Sequence, residues 1–167
     1  KSIPFDVFHS TEFIARLINQ DRIKFRELND KITYHDPCDI GRNSAIFDQP
    51  RYIINKIPGI EFTELKDNQE YCNCCGGGGN LLVSNQDLSL DIAKRKVNEV
   101  LDTGAQTLVT ACPSCVMAIT TAKMSERAQF DVLDITQLVG KAIIREDIEK
   151  PIEVGTVGKE KVASVVY

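Results

Sequence analysis

Five of the six cysteines in this 167-residue chain fall into three groups whose spacing suits metal or redox chemistry. Cys38 stands alone, the pair Cys74 and Cys75 follows after 35 residues, and Cys112 and Cys115 follow after another 36 residues as CPSC. Each group comes directly after a predicted strand or in the loop behind it. Because the carboxyl ends of parallel strands open on one edge of a sheet, we expect these five thiols to meet there.

The residues around these cysteines favour thiolates, the form of cysteine that binds metal. Pro113 suits the first position of a helix, which places Cys112 at the cap and Cys115 in the first turn. Unpaired amides and the positive end of the helix dipole lower the pKa of a thiol in such a place. The adjacent pair is unusual for tetrahedral zinc, whose ligands are mostly separated by two or more residues. Adjacent cysteines can still reach different irons of one large cluster.

Four glycines, Gly76 to Gly79, follow the cysteine pair directly. Without a Cβ, the backbone at Gly76 and Gly77 can pass close to a cluster and turn its N–H groups toward sulfur. A phosphate-binding loop is the competing interpretation, but no Lys followed by Ser or Thr comes after the glycines. The pattern therefore favours a cofactor loop at an iron–sulfur site.

Other interpretations of the cysteines remain open at this point. Structural zinc on four of them is one, since CxxC is a common half of such sites, and disulfides or unreactive buried thiols are another. Cys72 lies outside the spaced pattern, and we expect it to be a bystander rather than a sixth ligand. Four more polar side chains lie near the predicted site and could contact a cluster or anion, although each also suits an ordinary structural place: His35, Arg42, Asn80 and Ser114.

Short apolar runs alternate along the chain with longer amphipathic segments, the pattern of repeated strand–helix units. This pattern predicts an α/β fold with a mainly parallel sheet flanked by helices. The predicted strands cover 5–10, 31–36, 60–65, 107–112 and 130–135. The predicted helices cover 11–19, 43–57, 87–103, 114–124 and 136–144. Pro50 predicts a kink in the second helix. The long helix at 87–103 carries a stripe of apolar residues that predicts its buried face: Leu88, Ile92, Val97, Val100 and Leu101.

One internal repeat appears when residues 4–18 are laid over residues 129–143. PFDVFHSTEFIARLI and QFDVLDITQLVGKAI share Phe, Asp, Val and Thr at matching positions. Any strand, cap and helix can look alike in this way. We nevertheless interpret 1–20 as the last strand–helix unit of a preceding copy, 30–145 as the cysteine-bearing domain, and 146–167 as a C-terminal tail.

Composition narrows the function classes further. Apolar residues make up 43% and charged residues 26% of the chain, as in ordinary globular domains. The net charge is −4 and no basic stripe with interleaved aromatics is present, which argues against nucleic acid as a partner. No apolar run approaches a membrane helix and the first residues lack a signal peptide. We expect a cytoplasmic location, with any membrane association made through a partner subunit.

With these residues in place, the chain resembles the cysteine-rich CCG domain family of iron–sulfur redox subunits. The resemblance covers about 30–145 and rests on TYHDPCDIGR, CCGGGG and AKRKVNEVLDTGAQTLVTACPSC. It is strongest to the C-terminal domain of the D-type subunit of heterodisulfide reductase, and extends to the iron–sulfur subunits of glycolate oxidase and anaerobic glycerol-3-phosphate dehydrogenase. The resemblance implies a non-cubane [4Fe–4S] cluster, although some members of the family hold a cubane cluster or zinc. The residues that it assigns as ligands are Cys38, Cys74, Cys75, Cys112 and Cys115.

The resemblance also implies a function and partners. It predicts an oxidoreductase of the heterodisulfide reductase type that exchanges electrons with a disulfide or thiol substrate, with the isolated chain inactive alone. The implied partners are a preceding CCG domain and a ferredoxin-type domain of the same parent chain, and a flavoprotein or membrane cytochrome subunit. Two alternatives stay open: an electron relay for a 2-hydroxy-acid or glycerol-3-phosphate dehydrogenase, and a zinc-stabilised interaction module.

Overall fold

The computed structural model describes residues 4–144, in which four parallel strands form one sheet in the order β2–β1–β3–β4. All three neighbouring strand pairs run parallel. The predicted α/β fold with a parallel sheet flanked by helices is therefore confirmed. The strands are β1 (Asp30–His35), β2 (Ile60–Phe62), β3 (Thr107–Thr110) and β4 (Asp131–Asp134).

The helices cover both faces of the sheet, and each face has its own apolar core. The first, second and last helices pack on one face, around Tyr34 of β1 and Val109 of β3. The two longest helices pack on the other, around Leu108 of β3. Leu108 and Val109 serve opposite cores because successive side chains of a strand point to opposite faces. The helices are α1 (Ser10–Asn19), α2 (Asp48–Lys56), α3 (Leu81–Ser84), α4 (Gln86–Thr103), α5 (Pro113–Glu126) and α6 (Ile135–Ala142).

The strand order places a topological switch point between β1 and β3. From β1 the chain crosses to β2 on one side, and from β2 it returns past β1 to β3 on the other side. The crossovers consequently use opposite faces, and a crevice opens beyond the carboxyl ends of the two central strands. The loops that follow β1 and β3 carry Cys38 and Cys112, so both flank this crevice.

The strand predicted at residues 5–10 is wrong. Residues 6–9 are irregular, and α1 already begins at Ser10. The side chain of Phe5 is 64% exposed, whereas its counterpart in the repeat, Phe130 before β4, is 5% exposed. A strand needs a neighbour to accept its backbone hydrogen bonds, and within residues 4–144 no strand lies beside 6–9.

Two details of the predicted helices also need correction. Helix α2 begins at Asp48 rather than residue 43, so Pro50 lies in the first turn, where a missing backbone donor costs little, and no kink is required. On α4, Val97 and Val100 are buried as predicted, but Leu88 and Leu101 are each 47% exposed. The buried face of α4 instead includes Ser89, Ala93 and Lys96.

The predicted tail 146–167 lies outside the described residues, and the domain limits 1–20 and 30–145 stay predictions. Helix α1 packs on α2 through Ala15 and Ile18, which join the same core as β1. After α6 the chain turns back, and Ile143 forms an isolated antiparallel bridge with Phe25. Among the helices of residues 4–144, none has both the length and the apolar character needed to cross a lipid bilayer.

Candidate metal centre

The structure brings the predicted thiols to the carboxyl edge of the sheet. Cys112 is the N-cap of α5 and Cys115 lies in its first turn, with Pro113 at the start of the helix as predicted. The sulfurs of Cys75 and Cys115 lie 3.1 Å apart in the interior. Cys38 and Cys74 are exposed and Cys112 is half-buried. The exposure of the thiols therefore increases from the buried floor of the crevice to its open mouth.

The electrostatics show that these thiols influence one another. The hydrogen bond with Cys115, aided by His35 and the Gly77 amide, lowers the pKa of Cys75 to about 4. The same contact, reinforced by burial, raises the pKa of Cys115 well above its ordinary value. We expected the helix start to lower the pKa of Cys115, but the contact with Cys75 and burial raise it instead. At Cys38, desolvation and then Cys74, Cys75 and Cys112 raise the pKa.

Residues 72–80, which we call the tetraglycine loop, carry the cysteine pair across the crevice. The Gly76 amide lies 3.3 Å from Cys74 Sγ, and the Gly77 amide lies 3.4 Å from Cys75 Sγ. Backbone donors therefore already point at both sulfurs. Two amides close to thiol sulfurs suit a cluster-binding loop, since such hydrogen bonds stabilise thiolate ligands.

The first two glycines of the tetraglycine loop are required by packing against helices. A Cβ on Gly76 would lie 2.5 Å from the Ser89 carbonyl of α4, and one on Gly77 would lie 2.6 Å from the Ser114 carbonyl of α5. Gly76 also adopts a φ of +80°. In contrast, a Cβ on Gly78 would meet no atom within 4 Å. Gly76 and Gly77 thus let the loop lie between the two helices.

A buried ion-pair group fastens the segment that leads to Cys38. Arg51 of α2 donates two hydrogen bonds to Asp36, both of 2.8 Å, and two to Glu64, of 2.6 and 2.9 Å. Burial opposes the charge of Arg51, but the hydrogen bonds to both carboxylates raise the pKa of its guanidinium further above its usual range. Asp36 Oδ2 also accepts from the Gln69 amide at 2.8 Å, which ties the Cys38 loop to the approach of the tetraglycine loop.

Arg42 makes a second connection between the same two loops. Its Nη2 donates to the Cys72 carbonyl at 2.8 Å and its Nε donates to the Glu70 carbonyl at 3.3 Å. Arg42 therefore joins the two loops, although the residue itself is exposed. Asn80 is the N-cap of α3 and has a φ of +65°, and Ser114 contributes its backbone carbonyl to the packing of Gly77.

His35, at the end of β1, lies close to the buried thiols. A ring nitrogen of His35 and the sulfurs of Cys75 and Cys115 all lie within 4.8 Å of one another, and all three residues are buried. Burial opposes protonation, but hydrogen bonds to Cys72 and Cys75 raise the pKa of His35 to about 9. His35 faces this side because its neighbour Tyr34 points into the opposite core.

Sequence reasoning missed three residues of this region: Lys96, Glu99 and Arg51. Lys96 is 1% exposed, and its ammonium pairs with Glu99 beside Cys72. A lysine on an apolar helix stripe gives no signal of burial, since it normally extends its charge to solvent. Arg51 and Asp36 are 15 positions apart, so their pairing depends on the crossover from β1 to α2.

The residues present fit an iron–sulfur cluster. Cys75 and Cys115 lie in contact, Cys38, Cys74 and Cys112 lie near enough to influence the same thiol group electrostatically, and two backbone amides point at sulfurs. Thiolates are the ligands that hold iron–sulfur clusters, and hydrogen bonds to sulfur tune their potentials. The donor chemistry of the crevice therefore matches this cofactor class.

Comparison with known proteins agrees with this geometry. A family model described as a cysteine-rich domain, CCG, matches residues 32–120. The D-type subunit of dihydromethanophenazine:CoB–CoM heterodisulfide reductase from Methanosarcina acetivorans is 40% identical over 86% of this chain and 35% of its own length. The B-type subunit of fumarate reductase (CoM/CoB) from Methanothermobacter marburgensis is 30% identical over 84% of this chain and 28% of its own length.

A bacterial relative carries the cofactor class in its name. The "Probable iron-sulfur-binding oxidoreductase FadF" of Bacillus subtilis is 28% identical over 86% of this chain and 21% of its own length. The chain thus spans about a third or less of the length of these relatives. The stretch matched by the family model contains all five cysteines of the spaced pattern.

Proposed function

This chain belongs to the cysteine-rich CCG domain family, and from that premise we propose that it holds a non-cubane [4Fe–4S] cluster for disulfide and thiol redox chemistry. Its relatives include subunits of two reductases and a probable iron–sulfur-binding oxidoreductase, which supports the general class. The observation that carries the proposal is the contact of Cys75 with Cys115 near the other three thiols, beside the switch point between β1 and β3. The proposed ligands are Cys38, Cys74, Cys75, Cys112 and Cys115.

The residues at this centre have different proposed roles, which follow from their burial and position. Cys75 and Cys115 supply the buried floor, and Gly76 and Gly77 direct their amides toward the sulfurs of the cysteine pair. Cys38 and Cys74 lie at the exposed mouth, where a substrate sulfur can approach. When bound, the cluster supplies electrons and an iron that binds sulfur. A disulfide substrate would need two electrons and two protons to give two thiols, with the electrons delivered by the proposed partner subunit.

The partners proposed for the parent protein follow from the same relatives. Several are named as subunits of larger enzymes, so electrons have to enter from another component. We propose a preceding CCG domain and a ferredoxin-type domain in the same parent chain, and a flavoprotein or membrane cytochrome subunit beyond it. The proposed location is cytoplasmic, with any membrane contact made by the partner.

Metal analysis of an anaerobic preparation tests the cofactor. The expected result is iron and labile sulfide in equal amounts, with an EPR signal in the oxidised, thiol-treated protein. The Cys75→Ser variant should alter that signal, because the serine replaces a proposed ligand, whereas Ser114→Ala should leave it unchanged. One zinc per chain with no sulfide would overturn the cluster. An unchanged spectrum in Cys75→Ser would remove that ligand.

Two other functions have specific support. Zinc is favoured by the proximity of His35, Cys75 and Cys115, because one nitrogen and two sulfurs suit its coordination.

A pure electron relay for a 2-hydroxy-acid or glycerol-3-phosphate dehydrogenase is favoured by relatives that belong to other oxidoreductases. In a relay, the cluster forms but added thiol or disulfide leaves its EPR spectrum unchanged.

A further inference from the structure

Cys72 lies outside the five-thiol pattern, yet several polar groups contact it. Its side chain is buried, with 4% exposure. Its Sγ lies 3.3 Å from His35 Nδ1 and 3.9 Å from Lys96 Nζ. Its carbonyl accepts a hydrogen bond from Arg42 at 2.8 Å. A bystander thiol in an apolar core would need none of these polar contacts.

His35 connects Cys72 to the metal centre. The imidazole is 1% exposed, and its Nδ1 lies 3.3 Å from the Cys72 sulfur. It also lies within 4.8 Å of the sulfurs of Cys75 and Cys115. The buried ring therefore lies close both to Cys75, which is a proposed cluster ligand, and to Cys72, which is not. The orientation of this ring decides whether its N–H group reaches the Cys75 sulfur.

Lys96 and Glu99 complete the support behind Cys72. The Lys96 ammonium pairs with the Glu99 carboxylate, which also accepts from Asn73 Nδ2 at 3.1 Å. A buried ammonium is stable only when it is paired, so Glu99 keeps Lys96 in place beside the Cys72 sulfur. The result is a continuous polar row from α4 to the metal centre, formed by Glu99, Lys96, Cys72, His35 and Cys75.

We propose that Cys72 is a positioning residue, which orients His35 behind Cys75 and so sets the reduction potential of the centre. This inference rests on the proposed function. Partners that orient the groups around metal ligands alter the properties of the metal, and hydrogen bonds to ligand sulfurs shift cluster potentials. A donor to a thiolate ligand stabilises the more negative, reduced state. Loss of Cys72 frees the ring and makes the centre harder to reduce.

The test measures the midpoint potential of the full chain after anaerobic loading with iron and sulfide. For Cys72→Ala we expect a shift to more negative potential that corresponds to about a tenfold change in the reduction equilibrium, which is about 59 mV for one electron. Cys72→Ser retains a polar group beside His35 and should recover most of the wild-type potential. The matched control is Val97→Ala, which trims a fully buried α4 residue next to Lys96.

A second readout needs no cluster. In the metal-free protein with ¹⁵N-labelled histidine, the imidazole shifts of His35 should move in Cys72→Ala and stay near the wild-type values in Cys72→Ser. If Cys72→Ser and Cys72→Ala share the same potential and the same imidazole shifts, the positioning role is wrong. An altered EPR line shape in Cys72→Ser would instead identify Cys72 as a ligand and also overturn it. Failure of the wild-type chain to bind iron and sulfide refutes the proposed function, a separate outcome from either of these.

Discussion

The two sides of the thiol crevice are held in different ways. Cys112 and Cys115 belong to the start of α5, a regular helix whose backbone geometry alone fixes their separation. Cys74 and Cys75 belong to the tetraglycine loop, which depends on contacts from other segments: Arg42, His35, Ser89 and Glu99. A helix supplies order locally, whereas an irregular loop obtains it from distant side chains. The loop side should therefore be the more sensitive to substitution.

The largest expected effect is at the ion-pair group that supports the loop side. Arg51→Met leaves Asp36 buried without a counterion, and we expect the free energy of unfolding to fall by about 3–5 kcal/mol. The control is Lys31→Met, which breaks an exposed pair with Glu61 and should cost about 0–1 kcal/mol. Urea denaturation of the reduced, metal-free protein measures both. Equal losses would show that the Arg51 group contributes no more than a surface pair.

The next effect is at the glycine that packs on α4. Gly76→Ala forces a Cβ to within 2.5 Å of the Ser89 carbonyl at a φ of +80°, and should cost about 2 kcal/mol or more. Gly78→Ala, where the added Cβ meets open space, is the matched control and should be nearly neutral. Denaturation and iron loading are both measured. If Gly76→Ala is as stable as the wild-type protein, the loop is free to move away from α4.

A smaller effect is expected where Arg42 joins the two loops. Arg42→Gln removes the donors to the Cys72 and Glu70 carbonyls and should cost about 1 kcal/mol. Hydrogen exchange of amides 69–77 should accelerate more than that of α5. Arg26→Gln, which loses a similar bond to the Lys141 carbonyl away from the crevice, is the control. Uniform acceleration in both variants would contradict a local fastening role.

The smallest effect is expected on the helix side. Pro113→Ala replaces a residue that is preorganised for the first turn of α5, and the loss should be about 0.4–1 kcal/mol, mainly through greater freedom of the unfolded chain. Denaturation measures the loss, and iron loading should stay at the wild-type level. If Pro113→Ala loses more unfolding free energy than Arg42→Gln, the helix side of the crevice is the more sensitive one, contrary to the prediction.

The internal repeat shows where prediction from sequence succeeds and where it stops. Both copies form the same capped helix start: the His9 amide donates to Glu12, and the Asp134 amide donates to Gln137. These interactions span three residues, so the local sequence suffices. The strand before the second cap pairs with β3, but the equivalent residues before His9 stay irregular. Pairing depends on a neighbour that local sequence cannot supply.

Sequence alone determined the alternation of strands and helices, the parallel sheet, the family, and the expectation that three cysteine groups would meet at one edge. Each depends on periodicity, caps or motif spacing, which are local properties of the chain. Only the tertiary structure decided that Arg51 secures Asp36, that Lys96 is buried, and that His35 links Cys72 to Cys75. The hydrogen bonds among those contacts join residues between 15 and 37 positions apart, and they form only once the crossovers bring α2, α4 and the loops together.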